Sequence, residues 1–195
     1  MKKTMVALSL CASALAFSPA IHAQEFKPYA GAGIGAFGLE YKDATVSQKN
    51  TVFGGYGKLG ADFNPYLGVE LRIGTTGSGS NTYATAPTSR KLSNDYYFSY
   101  LAKLQYPATP DFNLYALVGG TTAKFKLTTP TASSSATKTG VSYGAGFDYR
   151  VDDQVSAGLE WVQYWTNVKL GTGGAFGTNA KAKIWGATAT VAYHF

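Results

Sequence analysis

The chain has 195 residues, a formal charge of +6, 23 glycines, 14 tyrosines and a single cysteine. That length is one domain, and a mild basic excess without a basic run, two of whose charges are Lys2 and Lys3, gives no reason to expect a nucleic-acid partner. So many aromatics exclude Gly-rich disorder, and no segment after the first 23 residues is apolar and long enough for a membrane helix.

Met1–Ala23 reads as a secretory signal peptide. Lys2 and Lys3 form the positive start, Met5–Phe17 the apolar stretch, and Ser18–Ala23 a short tail ending in a small residue, with cleavage expected between Ala23 and Gln24. The apolar run is short for a transmembrane anchor, which needs about 20 residues. Cys11 follows the bulky Leu10 and sits inside the apolar stretch, against a lipid-modified leader. Its loss with the leader leaves 24–195 without a thiol or disulfide.

The first strand is expected over Phe26–Leu39, with Ala30, Ala32, Ile34 and Ala36 opposite Tyr29, Gly31, Gly33 and Gly35. Gly33-x-Gly35-x-x-Gly38 matches a dinucleotide fingerprint in form only, because that motif needs a strand before it and a helix after it. Glycines at period two leave room inside a narrow barrel instead. After a polar loop, Glu40–Asn50, the second strand is Thr51–Phe63, with Phe53, Leu59, Ala61 and Phe63 against Gly54, Tyr56, Lys58, Gly60 and Asp62. Asn64-Pro65 signals a tight turn. Tyr66–Gly74 then alternates cleanly, Leu67, Val69, Leu71 and Ile73 against Glu70 and Arg72. Thr75–Asn94 reads as a long loop, and Asp95–Tyr106 as the fourth strand, with Asp95, Tyr97, Ser99, Leu101, Lys103 and Gln105 on the polar side.

Phe112–Leu127 is the fifth strand, and its alternation slips: Leu114, Ala116 and Val118 share a face, while Phe125 and Leu127 are out of phase. A bulge near Gly119-Gly120 would restore the register and turn Lys124 and Lys126 inward. Thr128–Lys138 is a third loop. Thr139–Arg150 is the sixth strand, with Val141, Tyr143, Ala145, Phe147 and Tyr149 against Ser142, Gly144, Gly146, Asp148 and Arg150. Val155–Leu170 is the seventh, a Gly-rich loop spans Gly171–Ala180, and Lys181–Phe195 is the eighth. In that last strand Trp185, Ala187, Ala189, Val191, Tyr193 and Phe195 form an apolar row, with Ile184 and Ala192 among the residues of the other face.

Long and short connections alternate strictly, and the aromatics gather near both ends of the strands. The fold class expected is all-β: an eight-stranded antiparallel up-and-down transmembrane β-barrel, its last strand closing on its first. A soluble barrel would instead put apolar residues inside. With the apolar faces outward, Lys58, Asp62, Glu70, Arg72, Lys103, Asp148, Arg150 and Glu160 all point inward, as a basic side chain facing mid-membrane lipid costs roughly 2–4 kcal/mol. The even balance of sign fits a plug of ion pairs; the alternative is a switchable network that admits ions or water.

Asn64-Pro65-Tyr66-Leu67-Gly68-Val69-Glu70-Leu71, Ala102-Lys103-Leu104-Gln105-Tyr106-Pro107, Leu159-Glu160-Trp161 and Gln163-Tyr164-Trp165-Thr166-Asn167 resemble, in order and spacing, strands of the OmpA-like transmembrane domain family. The resemblance covers essentially all of 24–195. It implies a small outer membrane barrel whose Glu70, Lys103 and Glu160 belong to an interior network that exchanges salt-bridge partners to gate a narrow path. Two family arginine positions hold His194 and Leu117 here, which weakens the gate. With no further domain expected after the barrel, peptidoglycan anchoring is not carried over. Tyr193 and Phe195 are expected to act as the assembly signal for the barrel assembly machinery.

Lipid-modifying chemistry would need a His with a Ser and a carboxylate near the outer leaflet. His194 is the one histidine after the leader, and it sits beside the periplasmic terminus, so no enzyme is expected. Neither a metal site nor a cofactor is expected. The sequence leads to a monomer in the cell outer membrane, both termini periplasmic, in contact with membrane lipid and lipopolysaccharide. Its Ser/Thr/Gly loops offer a surface to a host or phage ligand.

Overall fold

The computed structural model describes residues 26–44, 47–83, 86–173 and 175–195; the leader and the Ala23–Gln24 junction lie outside them. The strands are β1 (Lys27–Lys42), β2 (Ser47–Asn64), β3 (Leu67–Thr76), β4 (Ser78–Tyr83), β5 (Ala86–Pro107), β6 (Phe112–Thr128), β7 (Ser133–Arg150), β8 (Val155–Gly173) and β9 (Phe176–His194). β3 and β4 are one stave interrupted at Gly77, whose N–H donates to Phe53 O at 2.7 Å; β3 and β4 both lie along β5. The nine segments thus make eight staves, all antiparallel. Pairing runs β1-β2-β3-β5-β6-β7-β8-β9 and returns to β1, where Tyr29 opposes His194 and Lys42 opposes Lys181. Closure leaves no sheet edge to water or lipid at this seam.

Tight turns join the staves at one end. Asn64 Oδ1 accepts from Tyr66 N at 2.8 Å, Thr109 Oγ1 from Phe112 N at 3.0 Å, and Asp152 Oδ1 from Val155 N at 2.7 Å. These side chains stand in for missing ladder partners, which is why Asn, Thr and Asp occupy those positions. The opposite, hairpin end extends much further than the sequence reading expected. The stretches expected to be loops at 75–94 and 128–138 are mostly strand, as are the ends of 40–50 and 171–180. β5 alone has 22 residues, about 70 Å along its length, against an apolar band roughly 25 Å tall for barrels of this kind.

The strands continue there through a reversal of hydrophobic phase along each stave. Near the turn end the outward side chains are apolar and exposed: Ile34, Phe53, Leu59, Leu71, Phe98, Tyr100, Leu104, Val118, Leu159 and Val191. Near the hairpin end it is the inward side chains that are apolar and buried: Leu39, Tyr41, Leu92, Phe125, Leu127, Phe176 and Ile184. Their outward neighbours there are polar, among them Lys42, Lys91, Lys124, Lys126 and Lys181. Alternation with period two continues; what changes is which side is wet. The lower part has the apolar exterior of a membrane barrel, and the upper part the apolar interior of a soluble one.

This corrects the fifth predicted strand. β6 runs against β7 without a register shift from Phe112 to Thr128, so Gly119-Gly120 carries no bulge there. Phe125 and Leu127 point inward and Lys124 and Lys126 outward because β6 has crossed the phase boundary. The irregularity lies in the neighbouring stave: β5 shifts register between Asn94 and Tyr96. Asp95, expected inside, is the extra residue; it is exposed and meets Lys124 at 3.6 Å.

β8 is the irregular stave. Its pairing with β7 stops at Tyr143–Gln163, and its register with β9 shifts between Gln163 and Trp165, Thr166 and Val168, and at Gly171. Asn167 (φ 103°) and Gly171 (φ 100°) take the left-handed conformations that such bulges use. The first shift turns both Tyr164 and Trp165 inward, where regular alternation would bury only one.

Candidate functional site

Among the described residues the interior is built of layers of side chains, as expected for eight staves. The central layer is built on Arg72. Its Nη1 and Nη2 donate to Glu160 Oε1 and Oε2 at 2.5 and 2.8 Å, a bidentate fork, and its Nε donates to Glu70 Oε1. Lys58 Nζ lies 3.8 Å from Glu70 Oε2. Tyrosines complete the carboxylates: Tyr29 OH donates to Glu70 Oε2 at 2.8 Å, Tyr56 OH to Glu160 Oε1 at 2.6 Å, and Tyr115 OH to Glu160 Oε2 at 3.1 Å. Thr188 Oγ1 adds a 3.3 Å bond to Glu160 Oε1, and the Arg72 guanidinium lies 4.7 Å from the Tyr56 ring centroid. Lys58, Glu70, Arg72 and Glu160 are all buried, so each charge is both paired and hydrogen-bonded or held against an aromatic face, as burial demands.

These partners come from β1, β2, β3, β6, β8 and β9, and the sequence reason they meet is the glycine column of β1. Gly33 has no side chain, and the Tyr56 ring occupies the space a Cβ there would need. Gly33→Ala should therefore displace Tyr56 from Glu160 and cost about 1–3 kcal/mol of overpacking, whereas at an open strand position the same change would stabilise by about 0.5–1 kcal/mol. The urea midpoint of the folded chain in lipid vesicles reads the sign.

Towards the turn end the next layer is polar but looser. Lys103 Nζ reaches Asp148 Oδ2 at 3.0 Å and lies 4.6 Å from the Tyr115 ring centroid. Gln105 Nε2 donates to Asp62 Oδ1 at 2.6 Å, and Asn113 Nδ2 to Gln105 Oε1 at 2.7 Å. Asp62 and Asp148 are half-buried. Arg150, expected among the inward charges, is exposed and lines a recess of about 200 Å3 at the mouth, together with Asp62, Lys103 and His194. It stands at the end of β7, where the interior opens to water. Ser156 Oγ is 3.0 Å from His194 Nε2 in this mouth, a Ser–His contact the sequence did not reveal. It lies at the end opposite the hairpins.

Above the charges the interior turns aromatic and then aliphatic. Phe37, Tyr97 and Tyr164 pack together with centroids 5.0–6.1 Å apart, Phe37 and Tyr164 stacked and Tyr97 tilted against both. Arg72 Nη1 donates to Tyr164 OH at 3.2 Å, tying this layer to the one below. Beside it Ser99, Thr121 and Ser142 form a fully buried hydroxyl chain, 2.7 Å per link, ending on Tyr164 O. Trp165 is fully buried and donates from Nε1 to Thr121 O at 3.0 Å. Leu39, Leu92, Phe125, Leu127 and Ile184 close the upper interior, while Leu117 lies lower, opposite Lys103. Sequence reasoning missed this cap; the out-of-phase Phe125 and Leu127 were its signal. Among the described residues no cluster of three or more His, Cys, Asp or Glu could hold a metal ion.

A closed eight-stave wall with an apolar outer belt and paired charges within it is the build of an outer membrane barrel, and the model of the outer membrane protein beta-barrel domain matches residues 4–195. The chain belongs to that family. A comparison with curated proteins gives no match. Among solved structures, this outer membrane barrel is similar to Ail, the attachment invasion locus protein of Yersinia pestis, in complex with the heparin analogue sucrose octasulfate (20% identity, 86% of this chain and 99% of that one, TM-score 0.53). It is similar also to Neisserial surface protein A (16%, 87% and 97%, TM-score 0.54) and to the N-terminal barrel of Pseudomonas aeruginosa OprF (17%, 85% and 97%, TM-score 0.51). At these identities the likeness is one of fold.

Proposed function

We propose that this outer membrane barrel is a sealed scaffold, a membrane anchor that holds rigid hairpins outside the cell for interaction, with its turn end and both termini periplasmic. The observation that carries this reading is the interior: ion pairs across the belt, and an apolar cap continuing above it. A water path would have to breach both. In the upper half water could pass only by separating Trp165, Phe125 and their mostly apolar neighbours, among which Gln48 and Asn94 are the buried polar side chains at the level of Tyr41 and Phe125. The salt-bridge exchange expected from the OmpA-like resemblance is disfavoured by the same geometry, since Arg72 already satisfies Glu70 and Glu160 together. That Ail, of the same fold, binds a heparin analogue supports an extracellular ligand as the object of the hairpins. A lipid-modifying or proteolytic role finds no support near the hairpin end, because the Ser156–His194 contact lies at the other mouth.

The test is single-channel recording of the refolded chain in a planar bilayer, beside Glu70→Ala and Lys103→Ala. A heat-modifiable band on a gel establishes that each barrel has formed. The expected result is a silent bilayer for the parent chain. Discrete conductance steps that change in either variant would establish a gated interior path and overturn the scaffold reading.

A further inference from the structure

The outward faces of β2, β1, β9 and β8 align into rows. From the turn end these are Leu59–Ala30–Tyr193–Val155, Gly57–Ala32–Val191–Ala157, Gly55–Ile34–Ala189–Leu159 and Phe53–Ala36–Ala187–Trp161. No charge stands in any of them. Thr51–Gly38–Trp185–Gln163 follows, with the Trp185 ring over Gly38, where it fills the space of a missing side chain. The next row is Lys49–Glu40–Lys183–Thr166, and the one after it Ser47–Lys42–Lys181–Lys169. The face passes from apolar to cationic in two rows, about 13 Å of strand.

Lysines 42, 181 and 169 are therefore side by side on adjacent strands, an arrangement that like-charge repulsion disfavours. Among the described residues none of the three has an ion-pair partner: Glu40 lies 3.7 Å from Lys49, and Asp43 accepts from Tyr41 OH at 2.9 Å. Lys42 and Lys181 border a recess of about 600 Å3 whose walls also carry Lys49, Lys183, Glu40, Asp43 and the two asparagines with left-handed backbone, Asn167 and Asn179; Lys169 borders a smaller recess of about 130 Å3 that shares Asn179 and Lys181 with it. The irregular path of β8 helps to form this recess. A regular stave would keep the row flat.

We propose that this corner seats the phosphorylated sugar headgroup of an outer-leaflet glycolipid. The phosphate lies on Lys42, Lys181 and Lys169, whose ammonium groups bind it as point charges. The amides of Asn167 and Asn179 donate to and accept from sugar hydroxyls. A membrane lipid is the occupant because the row has the same outward phase as the lipid-facing rows and stands two rows, about 13 Å of strand, above the tryptophan at their upper limit. That is the level of the headgroups. The proposal rests on the hairpin end being extracellular.

The chain is folded into phosphatidylcholine vesicles alone, with bis-phosphorylated lipid A, or with dephosphorylated lipid A, and the temperature at which the heat-modifiable band converts is measured. Lipid A retained after detergent extraction is measured in parallel. The phosphorylated lipid should raise the conversion temperature and the dephosphorylated one should not. In Lys42→Gln/Lys169→Gln/Lys181→Gln the rise should vanish and retained lipid A fall roughly ten-fold or more, as a charged contact carries about that factor. Lys124→Gln/Lys126→Gln, across the barrel, should behave as the parent. Lys181→Gln alone serves if the triple variant does not fold. An undiminished rise in these variants, or the same rise from dephosphorylated lipid, overturns the proposal. So does an equal rise from soluble inorganic phosphate or a heparin fragment in phosphatidylcholine vesicles, which would make the ligand a soluble anion. Failure of the parent chain to give a folded band in any vesicle would instead overturn the membrane-embedded reading itself.

Discussion

Arg72→Ala is expected to destabilise the barrel by about 3–5 kcal/mol, the cost of leaving buried charge uncompensated. Removing the guanidinium strands both carboxylates at once. Glu160 loses a bidentate partner and Glu70 its nearer cation, leaving Lys58 at 3.8 Å as the cation beside Glu70. Tyrosine hydroxyls remain on both carboxylates, but they donate single neutral hydrogen bonds and do not cancel charge. Equilibrium unfolding in urea from lipid vesicles, followed by tryptophan fluorescence, gives the number. The double change Arg72→Met/Glu160→Leu should recover part of the loss, since an apolar pair of similar volume can replace a buried ion pair at little cost. A loss under about 1 kcal/mol for Arg72→Ala would mean that the cluster is as well hydrated as a surface pair, and the interior would then have to be wet.

Trp165→Ala is expected to cost a similar amount, about 3–5 kcal/mol, for a different reason. The side chain is fully buried where β8 has left β7, and its ring fills the wall that strand pairing no longer closes. Its indole also satisfies Thr121 O. Trp165→Phe, which keeps most of the volume and drops that bond, should lose only about 1 kcal/mol beyond the packing change. The measurement is the same unfolding curve, with Trp161 and Trp185 as the remaining reporters. A near-neutral Trp165→Ala would mean that the upper interior is loosely filled and does not seal the barrel above the belt.

The membrane-facing part of this fold was legible in the sequence because lipid imposes a simple rule. In Tyr66–Gly74 and Asp95–Tyr106 each aliphatic residue but Leu101 alternates outward, and the charges Glu70, Arg72 and Lys103 are inward by default. The placement of Lys58, Glu70, Lys103 and Glu160 on the interior follows from the same rule. Their partners did not follow: that Arg72 and not Lys103 joins Glu70 to Glu160 depends on stagger between staves, which a single strand does not encode. The rule also fails where lipid ends. Phe125 and Leu127 looked like a register error because one phase was assumed for the whole stave, and the actual bulge, at Asp95, sits in a polar stretch with no alternation to break. The doubled inward pair Tyr164–Trp165 was hidden for a related reason, since two adjacent aromatics fit a girdle as well as they fit a bulge.

The phase reversal bears on how such a surface can diverge. A protruding segment without internal packing could change at every position, but here the inward set above the belt, from Leu39 and Tyr41 to Phe125, Leu127 and Ile184, is locked together. Between the belt and the hairpin tips, sequence drift should be confined to alternate residues, such as Ser133, Ser135, Thr137 and Thr139 on β7, and to the tip at 129–132. A library randomised over β7 would show tolerance rising and falling with a period of two, and a peptide grafted for display would be accepted at the tip and rejected two strand positions below it.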